Sequence, residues 1–157
     1  ANGQQATDST EQADSVIAKE LVYTNANCGY TVTLPEGFIA KNNLAKFEEM
    51  GETKIFQNHA INATIDVRVK EETGEAKAEI KRSSAILAAD ELKTLIKNEV
   101  TDNALTATWK DKDGTFNAVY NRIENGKKAI INFSYSAKNE AEFNAAIESV
   151  TNSFKLN

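Results

Sequence analysis

The last third of the chain, residues 104–157, constrains the fold most. In Leu105-Thr106-Ala107-Thr108-Trp109, Phe116-Asn117-Ala118-Val119-Tyr120 and Ile131-Asn132-Phe133-Ser134-Tyr135, apolar and polar residues alternate. A period of two is the signature of a half-buried strand. The run Phe143, Ile147, Val150, Phe154 then advances by four, three and four, which sets four apolar side chains on one face of a helix. A helix with such a stripe must bury it, and the preceding strands offer the surface. The turns between the strands are read from Asp111-Lys112-Asp113-Gly114 and Glu124-Asn125-Gly126-Lys127. Asn-Gly between alternating segments is the strongest short hairpin signal. Asn139, with Glu142 three residues on, predicts a capping box for the last helix.

Upstream, Val16 to Tyr23 reads as starting in a helical turn and ending as a strand, Asn25-Ala26-Asn27-Cys28-Gly29 is turn chemistry, and Tyr30-Thr31-Val32-Thr33-Leu34 alternates until Pro35-Glu36-Gly37 stops it. Together they read as a hairpin. Phe47 to Phe56 reads as two short extended pieces around Gly51, and Thr64-Ile65-Asp66-Val67-Arg68-Val69-Lys70 is the clearest strand of the first half. From Ala76 to Asn98 there is no Gly or Pro, and Ala85, Ala88, Ala89, Leu92, Leu95 and Ile96 form one helical stripe. This predicts a single long helix, with a break near Ser83-Ser84 and a restart capped by Asp90 as the alternative.

A chain of 157 residues fits one ordinary domain. Residues 1–15 contain no aromatic or branched aliphatic residue, so they read as a flexible polar tether, and 16–157 as the domain. Such a lead resembles the segment just after the lipidated cysteine of a mature bacterial lipoprotein, the alternative being a cytosolic protein with a ragged start. Asp8, Glu11 and Asp14 lie in the tether, and the remaining 20 acidic residues face 18 basic ones. A near-neutral body without a basic stripe argues against electrostatic binding of nucleic acid or an anionic membrane. The single cysteine, Cys28, excludes an internal disulfide and a cysteine-built zinc site.

The fold class expected is α+β, an antiparallel sheet of about six or seven strands with two main helices. Two stretches carry a family resemblance. Gly29-Tyr30-Thr31-Val32-Thr33-Leu34-Pro35-Glu36-Gly37-Phe38 is similar to the aromatic-led strand ending in Pro-x-Gly-aromatic that opens many domains of the Mog/PsbP-like superfamily. Phe143-x-x-x-Ile147-x-x-Val150-x-x-Ser153-Phe154 is similar to their closing helix. That superfamily contains the extrinsic PsbP subunit of photosystem II and a Ran-binding nuclear transport factor. The resemblance spans about Leu21 to Leu156 and implies an α/β/α sandwich and a non-catalytic, partner-binding domain. It carries over no functional residue. Many bacterial members look like secreted or lipid-anchored proteins, in agreement with the tether.

Motifs for chemistry are sparse. The only histidine, His59, and Cys28 lie in separate turn-like segments, so a nucleophilic pair has no local support. Asp111-x-Asp113-Gly114 resembles half of a calcium loop, but aligning its glycine puts Trp109 at the first ligand position and Tyr120 where a bidentate Glu belongs. Glu71, Glu72 and Glu75 read as a solvated acidic loop. No catalytic residue, metal site or cofactor is expected.

The collective feature is a sheet face. If Ile65, Val67, Leu105, Ala107, Phe133 and Tyr135 point to the core, Thr64, Asp66, Arg68, Thr106, Thr108, Asn132 and Ser134 share the opposite face, a surface for a partner or ligand. Val119, Ile123 and Ile130 run in the opposite phase and predict that a second helix covers at least one end of it. The expectation is a secreted or envelope-tethered, non-enzymatic domain that binds a protein or an envelope component, touching a membrane only through a lipid anchor outside this chain. The rival is a small-ligand carrier or sensor with a pocket between sheet and long helix, lined by Tyr30, Trp109, Tyr120 and Tyr135.

Overall fold

The computed structural model describes residues 20–41 and 52–157. The tether, the first four residues of the segment Val16 to Tyr23 and the first half of the segment around Gly51, residues 47–51, lie outside these residues. In chain order the strands and helices are β1 (Leu21–Asn25), β2 (Tyr30–Leu34), β3 (Ile39–Lys41), β4 (Glu52–Asn58), a 3-10 turn (His59–Ile61), β5 (Ala63–Glu71), α1 (Ala76–Ala89), β6 (Thr94–Val100), β7 (Ala104–Lys110), β8 (Phe116–Glu124), β9 (Lys127–Tyr135), α2 (Glu140–Ser153) and β10 (Lys155–Leu156). Among the described residues they form two antiparallel sheets: a seven-stranded one in the order β3-β4-β5-β9-β8-β7-β6 and a three-stranded one in the order β1-β2-β10.

The expected hairpin, meander and closing helix are all present. Phe143, Ile147, Val150 and Phe154 are buried with Tyr30, Val32, Leu34, Ile65, Val67, Ile131, Phe133 and Tyr135 in one core. That core lies between one face of the large sheet and a layer made of α2 and the small sheet. Arg122 fixes this layer, donating from its guanidinium to the carbonyls of Phe154 (2.8 Å) and Thr151 (3.2 Å) at the end of α2. A cation at a helix C-terminus satisfies carbonyls that the helix leaves unpaired. On the other face a smaller core joins Ile80, Leu105, Ala107 and Ile123, with Leu87 and Val119 against it. α1 covers this face, packing on β6, β7 and β8. The large sheet is thus sandwiched at one end between helices.

The long helix is shorter than its periodicity predicts. It stops at Ala89, and Thr94–Val100 is the edge strand β6. Asp90 ends the helix instead of restarting one: its carboxylate accepts from the Leu92 amide (2.9 Å) and from Lys93 Nζ (2.8 Å). Such side-chain capture of backbone amides competes with the next helical turn. The residues off the stripe, Ile80 and Leu87, are the ones that pack, whereas Ala85, Ala88, Ala89 and Leu92 stay outside the buried core. Asn139 stands at the start of α2 as expected, but without the expected cap bond. Its amide donates to Ile61 O (3.0 Å) and Ser136 Oγ (2.8 Å), tying the helix to the 3-10 turn.

Asn125 and Gly126, with φ of 56° and 75°, make the two-residue turn between β8 and β9. Both positive angles match the twist of the flanking strands. Nothing lies within 4 Å of a Cβ built on Gly126, so Gly126→Ala meets backbone strain alone. The expected loss is about 1 kcal/mol in urea unfolding. An unchanged midpoint would mean that the turn relaxes to another geometry.

Candidate functional site

Register decides which residues share a face. β5 pairs with β9 so that Thr64 stands opposite Ser134, Asp66 opposite Asn132, Ile65 opposite Phe133 and Val67 opposite Ile131. Thr64, Asp66, Arg68, Asn132 and Ser134 therefore do lie together, on the face turned away from the main core. Thr106 and Thr108 do not join them. β7 pairs with β8 through Leu105 and Asn121, Thr106 and Tyr120, Ala107 and Val119, and Thr108 and Ala118. Leu105 and Ala107 hence belong to the α1 face, while Thr106 and Thr108 look toward α2. There they line a groove of about 680 Å³ with Asn144, Glu148 and Thr151. The physical reason is that this sheet has an apolar layer on both sides, so alternation alone leaves the phase of β7 open.

The five residues lie beyond the strands on which α1 mainly packs, β6, β7 and β8; on β9 the helix reaches Lys128 through Glu79 (2.7 Å). The phase extends the surface. Gln57 stands beside Thr64, and Asn117 beside Ser134, giving a cross-strand row Gln57, Thr64, Ser134, Asn117 of side chains that both donate and accept. The next row runs Ile55, Asp66, Asn132, Val119 and ends beneath α1. Sequence reading missed Gln57 and Asn117, although their parity within their strands was the available signal.

Electrostatics single out two members. Asn132 Nδ2 donates to Asp66 Oδ1 at 3.0 Å. Burial nevertheless holds the Asp66 carboxyl above its ordinary 3.8, against the lowering by that bond and by the Arg68 charge. Arg68 Nε is buried and has no hydrogen-bond partner among the described residues. A carboxylate that ionises against burial and an unpaired guanidinium donor both disfavour the isolated fold. Asp66→Asn keeps the acceptor for Asn132 and removes the ionisation. An acid whose folded value is raised destabilises the fold increasingly as pH rises above its unfolded value, so the variant should melt higher at pH 7. The difference vanishes as pH falls below 3.8. A variant that melts lower at pH 7 would show that the charge is stabilising.

The four rings expected around a pocket do not converge. Tyr30 tilts against Phe154 (5.7 Å), Tyr120 accepts from Arg122 Nε (2.8 Å), and Trp109 lies on the α1 face beneath Lys93 Nζ (5.1 Å). Tyr135 lines an open groove of about 780 Å³ that also meets Phe38, Asn58, Ile61, Glu36 and Glu142. Burial, and then the Glu142 carboxylate, hold its phenol well above the ordinary range.

The remaining motifs resolve into turns. Asp113 accepts from the Thr115 amide (2.9 Å) and Asp111 from Asn117 Nδ2 (2.8 Å), with Gly114 at φ 90°, so the half calcium loop is a hairpin turn. Glu72 accepts from the Gly74 amide. Cys28 sits in the β1–β2 turn and His59 in the 3-10 turn, and among the described residues no group of three His, Cys, Asp or Glu is placed to hold a metal. No described helix is long and apolar enough to cross a membrane.

Solved structures share this arrangement. The solution structure of cyanobacterial PsbP (CyanoP) from Synechocystis sp. PCC 6803 superposes with a TM-score of 0.64 over 94% of this chain and 98% of that one, at 16% sequence identity. The fold is PsbP-like. A crystal structure from Bacteroides thetaiotaomicron VPI-5482 gives a TM-score of 0.56 at 10% identity, over 87% of this chain and 48% of that one. No family model and no curated protein matches the sequence. The PsbP-like assignment therefore rests on the order of elements and the sandwich, and the expected α+β class with two helices stands.

Proposed function

We propose that this PsbP-like chain is a non-enzymatic, secreted or envelope-tethered domain that binds a protein or envelope component through the β4–β5–β9 face. The observation that carries the reading is the buried Nε of Arg68, without a hydrogen-bond partner among the described residues, beside Asp66, whose carboxyl burial holds above its ordinary value. Groups held at the expense of stability, beyond the strands on which α1 mainly packs, are candidates for recognition. Rows of amide and hydroxyl side chains suit a partner that supplies its own mixed donors and acceptors, with a carboxylate or carbonyl for Arg68. The test is capture from envelope extract with the immobilised chain, and with Arg68→Ala and Asn132→Ala variants of unchanged melting temperature. The face variants lose the bound component, whereas Thr106→Ala, on the other side of the sheet, retains it. Capture that survives both face substitutions would overturn the reading.

A second reading, a small-ligand carrier, is favoured by the groove at Tyr135, whose lining combines Pro35, Phe38 and Ile61 with the polar Asn58 and Glu142. Sites for small molecules are mostly apolar with a few convergent polar groups. A ligand at a hundred times its dissociation constant stabilises by about 2.7 kcal/mol. A thermal shift with one compound of a metabolite panel, absent in Tyr135→Phe, would move the assignment to this groove.

A further inference from the structure

We propose that the chain self-associates through β6, pairing two copies edge to edge into a continuous sheet. β6 ends the large sheet, and no described strand pairs with its outer side. Its free side presents main-chain donors and acceptors that another strand can satisfy. Of the six large hydrophobic side chains exposed among the described residues, four fall between Ile86 and Val100: Ile86, Leu92 (80% exposed), Ile96 and Val100. Ile96 and Val100 lie on β6 itself, Leu92 in the turn before it and Ile86 on α1, and exposed apolar residues on an edge strand mark an interaction surface.

The sequence of the strand selects the occupant. Lys97 and Glu99 point to the same side as Thr108 and Thr106, and within one copy they form only a solvent-exposed pair at 3.7 Å. Antiparallel pairing about Asn98 puts Lys97 of each copy opposite Glu99 of the other and Ile96 opposite Val100. A two-fold axis through the Asn98 pair makes every such contact twice. Parallel pairing would set like charges face to face. Opposite charges and apolar pairs directly across a ladder are each favourable, and like charges are not. The register shift between Leu95 and Lys97 breaks the regular edge there, so the ladder is short, running from Ile96 to Val100. A short ladder predicts reversible association, not an obligate dimer.

Sedimentation of the full chain from about 1 µM to about 1 mM reads the outcome. The native chain passes from monomer to dimer across this range. Lys97→Glu and Glu99→Lys, each on the exposed surface and neutral in stability, are monomeric when alone, because each places like charges across the axis. Mixed in equal amounts they form a heterodimer, since every pair then joins Glu to Lys, and the double variant Lys97→Glu, Glu99→Lys dimerises again. A native chain that stays monomeric at the highest concentration overturns the proposal. So does a dimer that the single variants leave intact or a mixture that fails to associate.

Discussion

Replacing Phe143 with Ala is expected to lower stability by roughly 3–5 kcal/mol, the range for truncating a buried aromatic ring. Phe143 is 1% exposed and is the residue through which α2 grips the meander. Its ring stacks on Phe116 of β8 at 5.3 Å and 29°, and meets the edge of Tyr135 of β9 at 5.7 Å and 63°. Tyr135 in turn contacts Phe38 at 6.1 Å, so the ring links α2 to the loop that leaves β2. Aromatic pairs of this geometry contribute about 0.5–1.5 kcal/mol beyond the area they bury. The helix cannot refill the space, because Ala146, Ile147 and Val150 on the same face already occupy their own contacts. Thermal melting should fall by roughly 10 °C for a domain of this size. Leu92→Ala, at 80% exposed, is the control and should change nothing. A loss below about 1.5 kcal/mol for Phe143→Ala would mean that α2 does not dock on the meander through this ring.

The position of Phe143 was legible because the signals agreed. Strands alternating at a period of two, an Asn-Gly turn and a stripe at helical spacing all pointed to one packing, and β7, β8, β9 and α2 conform to it. The site was legible only in part. Thr64, Asp66 and Arg68 fall together with Asn132 and Ser134 because β5 and β9 are neighbours, which hydrophobic alternation could suggest. Thr106 and Thr108 go elsewhere because β7 takes its phase from β8, and β8 has apolar residues on both sides: Ala118 and Tyr120 toward α2, Val119 and Ile123 toward α1. Such a strand admits two phases, and the choice is made by a helix distant in sequence. The opposite phase of Val119 and Ile123 was the signal of that helix.

β6 was hidden for a related reason. Thr94 to Val100 continues a breaker-free run, and alanines and leucines at helical spacing prolong the pattern past the true end of α1. What ends α1 is one side chain, Asp90, binding the Leu92 amide and Lys93. Neither hydropathy nor Gly and Pro punctuation registers this kind of stop. The alanine stripe also misled about orientation, since alanine buries little area and does not compel its face inward. Ile80 and Leu87, with more surface to lose, turn the helix the other way.

Glu79→Gln is expected to destabilise by about 3 kcal/mol, through the lysine it strands. Lys128 Nζ lies 2.7 Å from Glu79 Oε2, and its side chain is only 6% exposed. In the sheet Lys128 stands opposite Lys70, a like charge that Glu79 offsets. Hydrogen bonds from Arg82 and then Lys128 hold the Glu79 carboxyl down at about 2, from an ordinary 4.5. An acid with a depressed value stabilises the fold above its unfolded value and ceases to do so below its folded one. The contribution is therefore complete above pH 4.5 and is lost as pH falls to about 2. Unfolding in urea at several pH values checks this: the native chain and Glu79→Gln differ at pH 7 and converge at the acid end. Arg82, whose side chain is 61% exposed, is the outer partner, so Arg82→Ala should leave the urea midpoint close to that of the native chain. The decisive variant is Glu79→Leu with Lys128→Met, which removes both charges but keeps their volume. It should recover most of the loss, because a buried pair replaced by apolar residues is often neutral or better. A double variant as unstable as Glu79→Gln would mean that α1 depends on the ion pair itself to sit on the sheet.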